Sequence, residues 1–234
     1  MKVSWFSAGA SSFIATYLER HTIDKIIYIH IDNQHEDSMR FVKDCEKILE
    51  GPIEILQSRY LSVENVIQQF NYIRSPHHAL CTDILKKRVR KEWESKQTEP
   101  LTYVWGFDFD EKDRAERLLQ GMPEQSHIFP LINKILSKKD VHGLTSQLGI
   151  KRPMMYDLGY NNNNCIGCIR GGMGYWNKIR VDFPEVFERM ALLERKVNAR
   201  CLKECFLDEL DPNRGRHTME VLEDCSIFCQ LAIN

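Results

Sequence analysis

Five short segments rich in β-branched and aromatic residues alternate with helical patterns over the first 150 residues. Nearly continuous apolar runs of this length are typical of strands buried on both faces of a parallel sheet. The alternation therefore predicts an α/β fold with a doubly wound, mostly parallel five-stranded sheet and helices on both faces. The predicted strands are the segment beginning at residue 2, then residues 24–31, 53–56, 101–105 and 127–132.

The character of the chain changes after Pro153. Residues 161–174 form a polar, glycine-rich stretch, and residues 183–201 predict one long helix that Pro184 begins. We therefore expect an α/β domain over residues 1–155 and a cysteine-rich helical region over residues 156–234 that packs on it.

The charge and hydropathy of the sequence argue against several classes of protein. A formal charge of -1 and a pI near 6.7 argue against a general nucleic-acid coat. The chain contains no run of 18 apolar residues and no signal-peptide pattern, which predicts a soluble, cytoplasmic protein without a membrane partner. Eight cysteines in a reducing compartment then favour metal, cluster or thiol chemistry over disulfides.

A turn of small residues lies between the first predicted strand and the first predicted helix. Its backbone N–H groups and the positive end of the helix dipole could converge on a phosphate group. An ordinary strand-to-helix turn is the alternative. The residues are Ser7, Ala8, Gly9, Ala10, Ser11 and Ser12.

Polar residues also follow two other predicted strands. Asp32 comes just after the second strand, where an open α/β sheet binds ligands, and could accept from a ribose hydroxyl or an adenine amine. The fourth strand runs into residues 106–117, which place Glu111, Arg114 and Arg117 near its end.

Taken in order, these segments resemble the phosphoadenosine phosphosulfate (PAPS) reductase family of the adenine-nucleotide α-hydrolase, or PP-loop, superfamily. Residues 7–12 are similar to its Ser-Gly-Gly-x-Asp-Ser loop, and residues 32–38 to its Asp-Thr-Gly stretch. Residues 81–86 match Cys-x-x-x-x-Lys, and residues 106–114 are similar to Gly-x-Arg-x-x-Glu-x-x-Arg. The resemblance covers roughly residues 2–190.

The resemblance implies an enzyme of sulfur metabolism that binds an adenine nucleotide: ATP, adenosine phosphosulfate (APS) or PAPS. It assigns nucleotide contacts to residues 7–12, Asp32, Gly106 and Glu111, and catalytic anion contacts to Lys86 and Arg114. A thiol reductant such as thioredoxin would be a partner, and a homodimer is left open.

Departures from the family pattern qualify this expectation. Ala8 and Ser11 replace a glycine and the aspartate of the usual loop, and Asp108 stands where the family often has arginine. Phosphate binding by backbone amides survives such changes. Mg²⁺-dependent adenylation is put in doubt, and the nucleotide is expected to differ from PAPS.

Cys81, Cys165 and Cys168 are the candidate ligands of an iron–sulfur cluster (4Fe-4S), because a Cys-x-x-Cys loop and a distant third cysteine can hold three of its corners. Resembling sulfonucleotide reductases use a Cys-Cys pair, but Leu80 interrupts it here. A structural zinc bound by Cys165, Cys168 and two other cysteines is the first alternative, and free thiols are the second.

The remaining C-terminal cysteines allow two interpretations. Cys201, Cys205, Cys225 and Cys229 suit a second four-thiolate metal site, each Cys-x-x-x-Cys presenting its sulfurs on one helical face. Residues 223–227 instead resemble the Glu-Cys-Gly-Ile-His tail that bears the family's nucleophile, which would make Cys225 catalytic.

Three functions are consistent with these features. The first is a PAPS reductase-like oxidoreductase or sulfurtransferase acting on a sulfonucleotide. The second is an adenylating sulfurtransferase that thiolates a nucleic acid and cleaves ATP to AMP and pyrophosphate. The third is a catalytically silent, nucleotide-binding regulatory protein.

Overall fold

A computed structural model describes residues 1–74 and 79–216 of the chain. It confirms the α/β class, with a five-stranded, all-parallel sheet in the order β3-β2-β1-β4-β5. The strands are β1 Lys2–Phe6, β2 Lys25–His30, β3 Ile53–Gln57, β4 Thr102–Val104 and β5 Ser126–Ile128. The helices are α1 Ala10–Glu19, α2 Asp37–Leu49, α3 Val63–Phe70, α4 Leu80–Thr82, α5 Arg88–Glu94, α6 Lys112–Gly121, α7 Pro130–Asn133, α8 Lys138–Gln147, α9 Met154–Asp157, α10 Met173–Asp182 and α11 Pro184–Val197.

The strand order reverses direction at β1. In the register of the sheet Val3 faces Lys25 of β2 on one side and Tyr103 of β4 on the other. The chain leaves β1 toward β2 and β3, and then crosses back to β4 and β5. Such a reversal opens a crevice at the carboxyl ends of the strands, between β1 and β4.

Successive residues of β1 point to opposite faces of the sheet, as strand geometry requires. Val3 and Trp5 pack with Trp93 of α5 on one face. Phe6 packs on the other face with Phe13 of α1 and Phe41 of α2. Both faces are therefore covered by helices, which explains the nearly continuous apolar strands. None of the helices over 1–74 and 79–216 has the length and apolarity to cross a membrane.

The described part of the predicted C-terminal region shares a core with the α/β domain. Trp176 of α10 and Met190 of α11 are buried in one cluster with Ile31 and with Val66 of α3. Residues 156–216 therefore pack against helices that flank the sheet, such as α3, and do not stand apart from them.

Two predicted elements are shorter than expected. The strand predicted over residues 127–132 ends at Ile128, because Pro130 cannot donate to a sheet ladder and instead begins α7. The helix predicted over residues 183–201 ends at Val197, where Asn198 takes a left-handed backbone conformation with φ 49°.

The prediction that Cys201 and Cys205 place their sulfurs on one helical face is therefore wrong. Residues 201–205 form a series of bends beyond the end of α11, so the Cys-x-x-x-Cys spacing does not place these two sulfurs on one helical face. Cys225 and Cys229, with the predicted roles of nucleophile and metal ligand, lie outside the described residues.

A buried histidine gives the fold a pH dependence. His142 of α8 is 7% exposed and packs edge-on against Tyr156, with the ring centroids 4.5 Å apart. Within the described residues neither ring nitrogen has a hydrogen-bond partner. Burial lowers the pKa of His142 to about 4, nearby Lys138 and Arg152 lower it further, and Asp157 opposes them. The folded protein therefore holds His142 neutral.

We predict that the free energy of unfolding falls as the pH is lowered from about 6.5 to about 4, by up to about 3 kcal/mol. In this window the unfolded chain binds a proton at His142 that the folded chain does not. Urea unfolding at a series of pH values measures the effect. His142→Phe should flatten the slope, whereas His21→Gln, at an exposed position, should preserve it. An unchanged slope in His142→Phe would contradict the prediction.

Candidate functional site

The small-residue turn after β1 is organised by the hydroxyl of Ser12. This oxygen accepts from the backbone N–H groups of Ser7 at 3.1 Å and Gly9 at 3.4 Å, and donates to the Gly9 carbonyl at 2.8 Å. Ala8 lies in the left-handed region with φ 56°. The turn is thus held closed by its own side chain, and the first-turn amides of α1, which lack intrahelical partners, remain to meet an anion.

Gly106 brings the end of β4 directly against this turn. A Cβ atom at Gly106 would lie 2.5 Å from Ser12 Cα and 2.6 Å from Ser12 N, closer than packed atoms approach. Only glycine therefore permits the two backbones to meet. This contact aligns the loop after β4 with the start of α1.

A cavity of about 380 Å³ lies at this crevice. Ser7, Gly9, Ser11 and Ser12 line one side of it, whereas Ala8 and Ala10 are buried in the turn behind them. The predicted residues Lys86, Gly106, Glu111 and Arg114 also line the cavity. The fold thus brings together most of the predicted site, from three separate segments of the chain.

Positive charge dominates the cavity wall. Among the described lining residues five side chains are cationic and one, Glu111, is a carboxylate. Glu111 is bound to Arg114 at 2.6 Å, and that guanidinium stacks over the Phe107 ring at 4.3 Å. The cationic residues are Lys86, Lys87, Arg90, Arg114 and Lys138. The lining side chains carry a formal excess of four positive charges, of which Arg90 is paired at 3.1 Å with the Glu94 carboxylate outside the lining. The remaining excess favours a polyanionic ligand.

Lys138 is one of three cavity cations that sequence analysis did not assign to the site; Lys87 and Arg90 are the others. Its Nζ donates to Ser11 Oγ at 3.1 Å and to Asn162 Oδ1 at 3.3 Å, and lies 3.9 Å from the Asp108 carboxylate. Burial raises the pKa of Asp108, nearby Glu111 raises it further, and Lys138 opposes both. The available signal was the N-cap of α8 at Ser137, which marks a helix starting near this edge of the sheet.

Asp32 does not join the other predicted nucleotide contacts. It accepts a hydrogen bond from Gln57 Nε2 at 2.6 Å and lines a second cavity, of about 560 Å³, beside α11. Gln34, two residues further on, lines the first cavity and accepts from the Tyr28 hydroxyl at 2.5 Å. Gln34, rather than Asp32, is therefore the polar residue after β2 that lines the cavity beside the small-residue turn.

The Cys165–Cys168 turn is closed by Tyr175. The Tyr175 hydroxyl accepts from the Cys168 N–H at 2.8 Å and donates to the Cys165 carbonyl at 3.1 Å. Gly167 takes a φ of +72° between the two cysteines, a conformation that favours glycine. Cys81 and Cys165 both pack against the apolar cluster that contains α3 and α11.

The ionisation of Cys81 and Cys165 depends on their burial and on the groups around them. Burial raises the pKa of Cys165 to about 12; Lys86 opposes the rise, and Cys168 and Cys81 add to it. Burial also raises the pKa of Cys81, Cys168 adds to the rise, and Lys86 opposes it. No three His, Cys, Asp or Glu side chains over residues 1–74 and 79–216 are arranged as a metal site. Lys86 nonetheless connects the cavity electrostatically to these thiols.

Cys201 belongs to the same neighbourhood. It is fully buried, and its N–H donates to the buried carboxylate of Glu194. Burial raises the pKa of the Cys201 thiol, and the Glu194 carboxylate raises it further. Cys168 makes a smaller contribution in the same direction. Cys168 therefore acts on Cys81, Cys165 and Cys201, whereas the sequence predicts Cys201 as a ligand of a second metal site.

Comparison with known proteins adds one distant relative. No family model matches the chain. An uncharacterized protein of Methanocaldococcus jannaschii, MJ0066, is 23% identical over 193 residues, which cover 79% of this chain and 39% of the relative. The chain thus spans about two fifths of the length of that relative.

We predict that Gly106→Ala destabilises the protein by about 1–3 kcal/mol, because the added methyl would force the β4 end away from Ser12. Chemical denaturation measures the change. The matched control is Gly121→Ala at the end of α6, where no atom lies within 4 Å of the added carbon and the change should be neutral or slightly stabilising. Equal stability of the two variants would refute the close approach.

Proposed function

We propose that the cavity between β1 and β4 binds an adenine nucleotide, and that the protein is a cytoplasmic, PAPS reductase-like enzyme of sulfur metabolism. The observation that carries the proposal is the meeting of the small-residue turn with five cationic side chains. One of these, Lys86, also acts on the Cys81 and Cys165 thiols.

The shape and chemistry of the cavity suit a nucleotide. Its volume falls in the range of small-molecule sites. Lys138 and the start of α1 offer positive charge for phosphate or sulfate oxygens. Trp105, stacked on Phe107 with centroids 6.0 Å apart, lines the wall and offers aromatic surface to a base.

Metal binding would suit Cys81, Cys165 and Cys168 better than free-thiol chemistry, and it would have to draw the three thiols together, because no group of three ligands is already arranged over residues 1–74 and 79–216. Neutral thiols with raised pKa values are poor nucleophiles at pH 7, whereas metal binding enforces deprotonation. Cys81, Cys165 and Cys168 would hold an iron–sulfur cluster or zinc, with Cys201 nearby. A bound cluster would supply an iron able to hold sulfide or a substrate sulfur. Lys86 would then balance negative charge on both the nucleotide and the thiolates.

The charges disfavour the adenylating alternative. ATP cleavage to AMP and pyrophosphate ordinarily uses Mg²⁺, which prefers carboxylate and water oxygens. Here Ser11 stands where the resembling family has its aspartate, Glu111 is paired with Arg114, and Asp108 lies beside Lys138. We infer that cationic side chains of the protein, rather than Mg²⁺, would neutralise the phosphates. This is what we expect of a sulfonucleotide reductase-like enzyme or of a silent regulatory protein.

We predict nucleotide binding in EDTA that is not strengthened by Mg²⁺, measured by calorimetry with ATP, APS and PAPS. Lys86→Ala and Arg114→Ala should each weaken binding by about 1.5–3 kcal/mol, because each removes a charge-assisted contact. Gly9→Val should also weaken it, since a Cβ at Gly9 already lies 3.2 Å from the Tyr156 hydroxyl.

The matched control for Arg114 is Arg117→Ala, on an exposed stretch of α6 that does not line the cavity. It should bind as the unaltered protein does. If none of the three nucleotides binds, the proposed function is wrong. If they bind with unchanged affinity in Lys86→Ala and Arg114→Ala, the ligand lies elsewhere.

We also predict that anaerobically purified protein contains iron and acid-labile sulfide, and that Cys81→Ser and Cys165→Ser each lose them. Cys45→Ala is the control, because Cys45 is a buried core residue of α2. Zinc without sulfide would favour the structural-metal alternative. Protein with neither metal would leave only thiol chemistry, for which Cys225 and a thioredoxin-like reductant are the predicted participants.

A further inference from the structure

A run of asparagines connects the cavity to Cys165. Asn162, Asn163 and Asn164 line the cavity, and Cys165 follows directly. Asn163 is only 6% exposed, and its Nδ2 donates to the Ala8 carbonyl at 2.7 Å and to Ser38 Oγ at 3.0 Å. The segment that carries the cysteines is therefore bound to the small-residue turn by a buried hydrogen bond.

The bond from Asn163 acts on the peptide unit that an anion would meet. The Ala8 carbonyl and the Gly9 N–H belong to one planar peptide, so fixing the carbonyl also fixes the direction of the N–H. Ser12 Oγ accepts that N–H at 3.4 Å, a long bond that an anion could replace. Ala8 carries a left-handed φ of 56°, a conformation that needs support from its surroundings.

The other side of Cys165 is anchored independently. The Ile166 N–H donates to the Asn33 carbonyl at 2.7 Å, beyond the end of β2. Cys165 thus lies between one anchor in the small-residue turn and one outside it. Loss of the Asn163 bond would free one side of Cys165 while the other stays attached.

We propose that Asn163 is a positioning residue that couples anion binding in the cavity to the exposure of the Cys165 thiol. The inference rests on the proposed function, since it requires the turn to bind the anionic part of the ligand. An anion on the Gly9 N–H strengthens the Ala8–Asn163 hydrogen bond, because bonds to the two ends of one peptide polarise each other. By reciprocity, a firmly held Asn163 favours anion binding.

The experiment uses inorganic pyrophosphate, which is too small to cover the cysteine segment as a whole nucleotide could. Alkylation of Cys165 by iodoacetamide is followed by peptide mass spectrometry on the protein as purified, with and without saturating pyrophosphate in EDTA. We expect pyrophosphate to slow alkylation roughly tenfold, within the range of ordinary coupling between sites.

Two variants remove the donor to Ala8: Asn163→Ala and the nearly isosteric Asn163→Asp. In both, alkylation without ligand should be faster, and pyrophosphate should change its rate by less than about twofold, below the usual range of coupling between sites. Asn161→Ala, at an exposed position outside the cavity, should keep the full effect. Ser38→Ala removes the other partner of Asn163 without touching the Ala8 peptide, and should also keep it.

The outcomes separate the inference from the proposed function. If pyrophosphate slows the alkylation of Cys165 equally in the Asn163 variants and in the unaltered protein, the ligand shields Cys165 directly. That result would overturn the proposed coupling. Calorimetric binding of pyrophosphate without any slowing would overturn it too, while leaving the proposed function intact. If calorimetry detects neither pyrophosphate nor nucleotide binding, both proposals fail. Should Asn163→Ala not fold, Asn163→Asp alone decides.

Discussion

The contact between Gly106 and the first turn of α1 is the constraint on which the rest of this structure depends. It lets the end of β4 approach Ser12 so closely that a Cβ atom at position 106 would not fit, at the point where the strand order reverses. Without it, the loops after β1 and β4 would not share one crevice. The hydroxyl of Ser12 then closes the turn after β1 from within. Backbone proximity, rather than any single charged group, creates the candidate site.

Charge is distributed around this crevice in an uneven way. The carboxylates near the cavity are each placed beside a cation, Glu111 with Arg114 and Asp108 with Lys138, whereas Lys86 acts on thiols whose pKa values burial raises. Such a site has spare positive charge for an anion. It also has a means of stabilising thiolates as soon as they form. The two properties meet at Lys86, in a π-helical turn over Asp83–Lys87 of the kind often found at functional sites.

The segment after α11 shows how one buried carboxylate can organise an irregular stretch. Glu194 is fully buried and accepts from the backbone N–H groups of Cys201 and Leu207. Burial raises its pKa, and these two N–H groups oppose the rise. The hydrogen bonds compensate the cost of burying a carboxyl group and hold residues 198–210 against the helix. A regular helix through Cys201 and Cys205 would lose them.

The sequence by itself determined the sheet and the small-residue turn, because these follow from local patterns: apolar runs, turn residues and helix caps. It also placed Glu111 and Arg114 near the end of the fourth strand, whereas Lys86 was expected at the site only from the family resemblance; all three line the cavity. Only the tertiary structure decided that Gln34 rather than Asp32 lines this cavity, that Lys138 reaches Ser11 from 127 positions away, and that Cys201 lies near Cys168. Those outcomes depend on contacts between distant segments, whose packing leaves no periodic signal in the chain.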